Sequence, residues 1–409
     1  MGAVVSFAEM WAALLPVGRY GPTGGYRRYS FTEADAGCRQ WFEKTAAERE
    51  LRVDHDHNGN LWAWWDGEHP DLGAIVTGSH LDSVPDGGAF DGPLGVVSAF
   101  AALDGLRARG LTPWRPVGVA AFGEEEGARF GVACLGSRLL TGALDPQRAR
   151  ELTDGGGVSL AEAMTGAGLD PAAIGPDEDR LSGIAAYVEL HIEQGSALAG
   201  RGAAVGLAAG IWPHGRWRVE FTGRADHAGT TRIGDRRDPM LPFAATVLAA
   251  RQAAAEHDAL ATIGKVVAEP GAANAICSAV RCWLDARAPD EATLERVTAQ
   301  VVAAARTAAA DHQVSVSVSQ ESATPPVRFD SGLRHRLAAA LEAHGVTAPV
   351  LPTGAGHDAG ILAARLPTAM LFVRNPSGVS HSPGEQASPA DCEAGVAALA
   401  AVLEELAFR

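Results

Sequence analysis

Residues 72–92 read LGAIVTGSHLDSVPDGGAFDG, and this stretch decides the kind of fold to expect. Residues 72–79 are a short, mostly apolar run, the pattern of a strand buried on both faces. The run delivers His80 at its C-terminal end. A glycine-rich turn then carries Asp91, and residues 92–109 take helical spacing, so Asp91 sits near a helix start. Strand, ligand-bearing turn and helix in that order open an α/β fold, in which sites gather at the C-terminal ends of strands.

The arrangement recurs further along. Residues 116–123 (PVGVAAFG) form a second apolar run with Glu124, Glu125 and Glu126 at its end, and 185–191 form a third that ends on His191. Strands separated by helices predict an α/β domain with a helix-covered mixed sheet, largely parallel. From residue 212 the pattern changes. Strands at 216–222, 260–267, 280–286 and 313–319 and helices at 239–257 and 290–310 follow the order β-α-β-β-α-β, which predicts an inserted ferredoxin-like α+β unit. The expected domains are therefore 1–211 with 325–409, and 212–324. A closing helix is expected over 389–408, and 145–179, rich in Gly, Asp and Pro, reads as an irregular connection.

Composition removes several function classes. A formal charge of −15 over 409 residues leaves no basic stripe for a nucleic-acid backbone. No apolar stretch approaches the ~20 residues that cross a bilayer, and the opening residues lack the basic region and long apolar core of a secretory signal. Cys38, Cys134, Cys277, Cys282 and Cys392 contain no C-x-x-C pair, which suits buried thiols in a reducing cytoplasm.

The candidate chemistry lies in the turns. His80 and Asp82 stand two apart, so on an extended backbone they share a side, and Asp82 is placed to accept from the ring nitrogen of His80 that faces away from a metal. Asp91 is short enough to bridge two cations. Glu124 to Glu126 would repel one another at the end of an apolar strand unless cations neutralised them, so one is expected to bind metal and another to move protons. Spacing alone does not say which, and Glu126 is taken as ligand with Glu125 as acid/base. His191 completes the set read from the strands. Three histidines and two carboxylates, with His381 in GVSHSPGE as the last, suit two divalent ions that polarise a carbonyl and activate water near neutral pH.

The ordered segments GSHLDSVPDGGAFDG, FGEEEGARFG, ELHIEQG, GRADHAGTT, TGAGHDAG and GVSHSPGE resemble the family of N-carbamoyl-L-amino acid amidohydrolase, allantoate amidohydrolase and β-alanine synthase, related to aminoacylases and zinc carboxypeptidases. The likeness runs from about residue 7 to the end. It implies a catalytic domain of zinc-peptidase type, an inserted dimerisation and lid domain, and two divalent ions (Zn or Mn, with Co or Ni accepted). Their ligands would be His80, Asp91, Glu126, His191 and His381, with Asp91 bridging and Glu125 as base. It further implies that His227 reaches across a homodimer to stabilise an oxyanion, and that Gln194, Asn274 and Arg287 contact a small substrate bearing a carboxylate. His357 and Asp358 are expected near the site, without an assigned chemical role. The implied reaction is hydrolysis of the linear C–N bond of an N-carbamoyl or related N-acyl L-amino acid. Allantoate and N-formyl-glutamate-type substrates are alternatives, with dipeptidase or aminoacylase chemistry further off. Two departures fall in the insert. Arg232-Ile233-Gly234 stands where the family has Pro-Met, and Cys277-Ser278 stands where it has Pro-Gly. Arg232 would suit an acidic substrate side chain.

Overall fold

A computed structural model describes residues 6–408; the first residues of the opening segment lie outside them. The chain divides into two compact units, one running up to Ala209 and resuming at Arg328, the other Gly210–Val327.

The larger unit is built on a nine-stranded mixed sheet. Its centre is four parallel strands in the order Val117–Phe122, Ala74–His80, Ile184–Ile192, Thr368–Val373. Every residue of Ala74–His80, Val117–Phe122 and Thr368–Val373 is buried, as strands covered on both faces require. Antiparallel strands complete the two sides: Leu61–Trp65 and Arg52–His55 beyond Val117–Phe122, and Val205–Ile211 beside Thr368–Val373. Helices Pro93–Ala108 and Pro389–Ala407 pack together against the central strands through Leu94, Phe100, Leu103, Leu399 and Val402. The closing helix and the helix after Asp91 therefore lie where the apolar spacing put them.

Residues 145–179 are not an irregular connection. Asp145, Ser159 and Asp177 each cap a short helix, Pro146–Arg150, Leu160–Gly166 and Glu178–Ser182. Leu139, Leu160, Met164 and Ile174 give this segment a small core of its own. Asp145, Ser159 and Asp177 act as helix N-caps, while Asp154 and Asp170 hold the turns between, accepting from the N–H groups of Gly156, Val158 and Ala172.

The smaller unit has the order β-α-β-β-α-β. Its sheet runs Ser315–Thr324, His214–Thr222, Ala279–Arg287, Leu260–Glu269, antiparallel throughout. Helices Met240–Glu256 and Glu291–Asp311 pack against one another on it. Two short strands, Asp226–His227 and Ala275–Ile276, pair with each other beyond the Thr222 end of the ladder.

Gly78 sits in the middle of the central sheet at φ +144°, and a Cβ there would overlap the carbonyl oxygen of Ala120 on the next strand. Gly78→Ala should therefore lower stability by more than about 3 kcal/mol, measured by denaturant unfolding.

Candidate metal centre

His80 stands at the C-terminal end of its strand, the Glu124–Glu126 turn follows the adjacent strand, and His191 lies at the end of Ile184–Ile192. Parallel pairing brings these three ends to one edge of the sheet. Asp91 precedes helix Pro93–Ala108, and Gly92 at φ +84° starts it. A side chain on Gly92 would run into the imidazole of His80, so only glycine lets Asp91 approach that ring.

Asp91 is the centre of the arrangement. Its Oδ1 lies 3.1 Å from His191 Nε2 and 3.7 Å from His80 Nε2. Its Oδ2 lies 3.4 Å from His381 Nε2, and Glu126 Oε2 is 3.6 Å from that same nitrogen. Ligand atoms of His80, Asp91 and His191 fall within 4.8 Å of one another, and so do those of Asp91, Glu126 and His381. The carboxylate thus has one oxygen in each of two clusters. Both His80 and His191 turn Nδ1 to a main-chain carbonyl, that of Asp82 at 3.2 Å and of Ile192 at 2.8 Å. This places the lone pair of the neutral ring on Nε2. Those Nε2 atoms are buried and make no aligned hydrogen bond. Buried imidazole nitrogens with free lone pairs, facing carboxylates, are a donor set that fits divalent cations.

Asp82 does more than the spacing argument foresaw. It lies beyond the end of the strand, with its carboxylate 3.3 Å from His80 Nδ1. It also accepts the backbone N–H groups of Glu125 at 3.2 Å and Glu126 at 3.1 Å. One side chain therefore ties the histidine to the glutamate turn. Glu125 is buried, and its Oε2 is 3.7 Å from His80 Nε2. The Gln194 amide donates to Asp91 Oδ2 at 2.9 Å and lies 3.2 Å from His381 Nε2.

Several supporting residues escaped sequence reasoning. Glu385 accepts the backbone N–H groups of Phe90 and Asp91, both at 3.0 Å, and so fixes the Asp91 turn. Its signal was present in GVSHSPGE and in Gly88, where any side chain would overlap Glu385. Asn60 braces the glutamate turn by accepting from Gly123 N at 3.0 Å. Glu189 accepts from Ser79 Oγ and Ala359 N behind the histidines. His357 and Asp358 are different, since the sequence already set them near the site: His357 packs its ring edge-on to His191, with centroids 4.4 Å apart, and Asp358 accepts from Ser137 at 2.5 Å.

Burial raises the carboxyl groups here. Glu125 is pushed well above the ordinary range by desolvation, with Asp358, Glu126 and Asp82 adding to it, against the opposing pull of His80. Glu126 rises to about 8 through burial and then Asp91, and Glu385 to about 7 for the same two reasons. Burial opposes charge on His80, but Glu125, Asp82 and Asp91 outweigh it and hold the ring well above its usual value. So many acids crowded in a dry site call for positive charge, and a bound cation reverses the local titration order.

The other implied contacts lie in the smaller unit. His227 is exposed, and its Nδ1 accepts from Gly229 N at 3.0 Å, which leaves the proton of the neutral ring on Nε2. Pairing of Asp226–His227 with Ala275–Ile276 sets Asn274 beside it. Arg287 is not near them. It ends the strand Ala279–Arg287 at the far end of the ladder, with Nε 2.9 Å from Asp285. Arg232 is exposed at the start of the turn Ile233–Asp235.

Residues 76–405 match the family described as Peptidase family M20/M25/M40. The chain belongs to this family. It is 37% identical over 405 residues to N-carbamoyl-L-amino acid amidohydrolase of Geobacillus stearothermophilus, covering 98% of each chain. It is 33% identical to allantoate amidohydrolase of Escherichia coli K12, over 95% of this chain and 94% of the relative. A hydantoinase/carbamoylase family amidase from Burkholderia ambifaria superposes with a TM-score of 0.84 at 33% identity, covering 99% and 98% of the two chains. Like these amidohydrolases, it is a hydrolase acting on linear amide C–N bonds.

If Asp91 is shared between two ions, metal analysis should separate the ligands. The native chain should carry two divalent ions, His381→Ala should lose one, and Asp91→Ala should lose both. Equal retention in Asp91→Ala would remove the shared role.

Proposed function

We propose that the chain hydrolyses the ureido C–N bond of an N-carbamoyl-L-amino acid, using two divalent ions held by His80, Asp91, Glu126, His191 and His381. The observation that carries this reading is the division of the Asp91 oxygens between two histidine-bearing clusters. The similarity to relatives whose names carry carbamoyl and allantoate substrates supports the ureido group. Zn and Mn suit such donors, as do Co and Ni, and supply decides among them.

When bound, such ions polarise a carbonyl and lower the pKa of water. Glu125, with Oε2 toward His80, takes a proton from the attacking water and returns it to the leaving nitrogen. His227 Nε2–H donates to the substrate carbonyl oxygen as it gains charge. The Arg287 guanidinium binds the carboxylate, joined by the Asn274 amide, which lies beside His227 and so comes with it from the other copy, and Gln194 lies against Asp91 at the edge of the site. A carbamoyl substrate then leaves as ammonia, CO₂ and the free amino acid.

The active form is a homodimer in the cytoplasm. His227 and Arg287 stand at opposite ends of a ladder whose strand Ala279–Arg287 alone spans about 25 Å, so one copy does not bring both to one small molecule. A second copy supplies the missing group. The unit also exposes Leu241 and Leu248 on its helix and Leu260 and Val266 on its edge strand, an apolar surface suited to burial between copies. Residues 212–324 act in this reading as the dimerisation and lid domain.

Allantoate is the second reading, since it also presents a ureido group next to a carboxylate. Arg232 would favour an acidic side chain, as in N-formyl-glutamate. A panel of N-carbamoyl-L-amino acids, allantoate, N-formyl-glutamate, dipeptides and N-acetyl amino acids, assayed with Mn²⁺ or Zn²⁺, should show turnover of the carbamoyl compounds and none of the peptides. The reverse pattern would replace the proposal with a peptidase.

Glu125→Gln should lower kcat by about 10³-fold while metal content stays native. Full activity in that variant would end the assignment of the base. Co-expressing Glu125→Gln with His227→Ala chains should restore turnover that neither variant has alone, because one of the two sites in a mixed dimer regains both groups. Absence of any recovery would show that His227 serves its own subunit.

A further inference from the structure

The Glu125 carboxylate has two oxygens in different surroundings. Oε2 faces His80, while Oε1 lies 3.3 Å from the thiol sulfur of Cys134. Among the described residues, that thiol is the one hydrogen-bond donor on the Glu125 carboxylate.

The backbone around Cys134 is shaped to hold this contact. Cys134, Leu135 and Gly136 donate their N–H groups to the carbonyls of Glu125, Glu124 and Gly123 at 2.6, 3.1 and 2.9 Å. The segment after the glutamate turn thereby closes back on it. Cys134 takes φ +55°, a left-handed conformation uncommon for a residue with a Cβ. Its own carbonyl accepts from Ser137 Oγ at 3.2 Å, as helix Leu135–Thr141 begins. Burial first, and then the neighbouring Glu125 and Asp358 carboxyls, push the thiol well above its ordinary pKa. The sulfur therefore keeps its proton and acts as donor, not as nucleophile.

We propose that Cys134 is a positioning residue for the acid/base: its S–H holds Glu125 Oε1 and so presents Oε2 to the reacting centre. This rests on the proposed role of Glu125. A freely rotating glutamate spends part of its time with neither oxygen in place, and reaction rate is sensitive to such misplacement. The loss should appear in kcat, because the thiol's hydrogen bond goes to the acid/base carboxylate and not to a proposed metal ligand or substrate contact. A small buried side chain kept only for packing would instead show itself in stability.

The test uses the metal-loaded full-length enzyme with its best ureido substrate. Cys134→Ala should lower kcat by about tenfold, the size expected for losing one hydrogen bond to a charged group. KM should stay within about twofold, and metal content and Tm should stay near native. Cys134→Ser keeps a donor and should recover most of the rate. Cys134→Gly suits the left-handed backbone, removes the donor and covers the case in which the alanine variant does not fold; it should match the alanine loss. Full kcat in either donorless variant overturns the inference, as does a serine variant as slow as alanine. Adding Cys134→Ala to Glu125→Gln should cost nothing further, and an additive loss would show that Cys134 does not act through Glu125. Should Glu125→Gln itself prove fully active, the underlying assignment fails, which is a separate outcome from a fully active Cys134→Ala beside an inactive Glu125→Gln.

Discussion

One carboxylate with its oxygens turned to opposite sides governs this molecule. Asp91 meets His80 and His191 through one oxygen and His381 through the other, and much of the surrounding structure keeps it so. Glu385 grips the main chain at Phe90 and Asp91, Gly92 removes the side chain that would push His80 away, and Asp82 locks His80 to the glutamate turn. Crowding these acids in a buried site is electrostatically unfavourable unless positive charge offsets it. The fold tolerates it because the parallel sheet beneath is fully buried and its strands end in register. Stability comes from the sheet and its helices, and function uses part of it at the strand ends.

What could be read in the sequence follows from which residues speak for themselves. The strands ending at His80, Phe122 and Ile192 are apolar runs, and the inserted unit alternates plainly, so both were legible. The side strand Arg52–His55 was not, since it carries a single apolar residue, Val53, and lies at the sheet edge. The segment 145–179 misled because Asp and Ser signal a helix N-cap and a loop equally well until the partner N–H is seen.

The candidate site divides in the same way. His80, Asp91, Glu126 and His191 stood out because ionisable residues at the ends of buried strands need a reason to be there. His381 lies in a loop at φ +54°, where no periodicity marks it, and its case leaned heavily on the ordered family motifs. Glu385 and Asn60 were missed because their partners are main-chain groups remote in sequence, and Cys134 because a lone cysteine does not announce a thiol contact, even with a residue as near as Glu125. Arg287 was legible as a residue, but its separation from His227 needed the register of the ladder.

The insertion of residues 210–327 between the two stretches of the larger unit also orders events in time. A growing chain carries His80, Asp91, Glu126 and His191 long before it carries the strand Thr368–Val373 and His381. The sheet at that stage lacks the parallel neighbour of Ile184–Ile192 and leaves that strand's edge bare. The inserted unit, compact in its own right, is free to fold while the larger one waits. Closure of the larger unit then depends on contacts of high sequence separation, which form slowly. The candidate metal centre is thus among the last features of the nascent protein to be completed, and until then a half-built acidic cluster and an open strand edge are exposed to the cell's folding machinery.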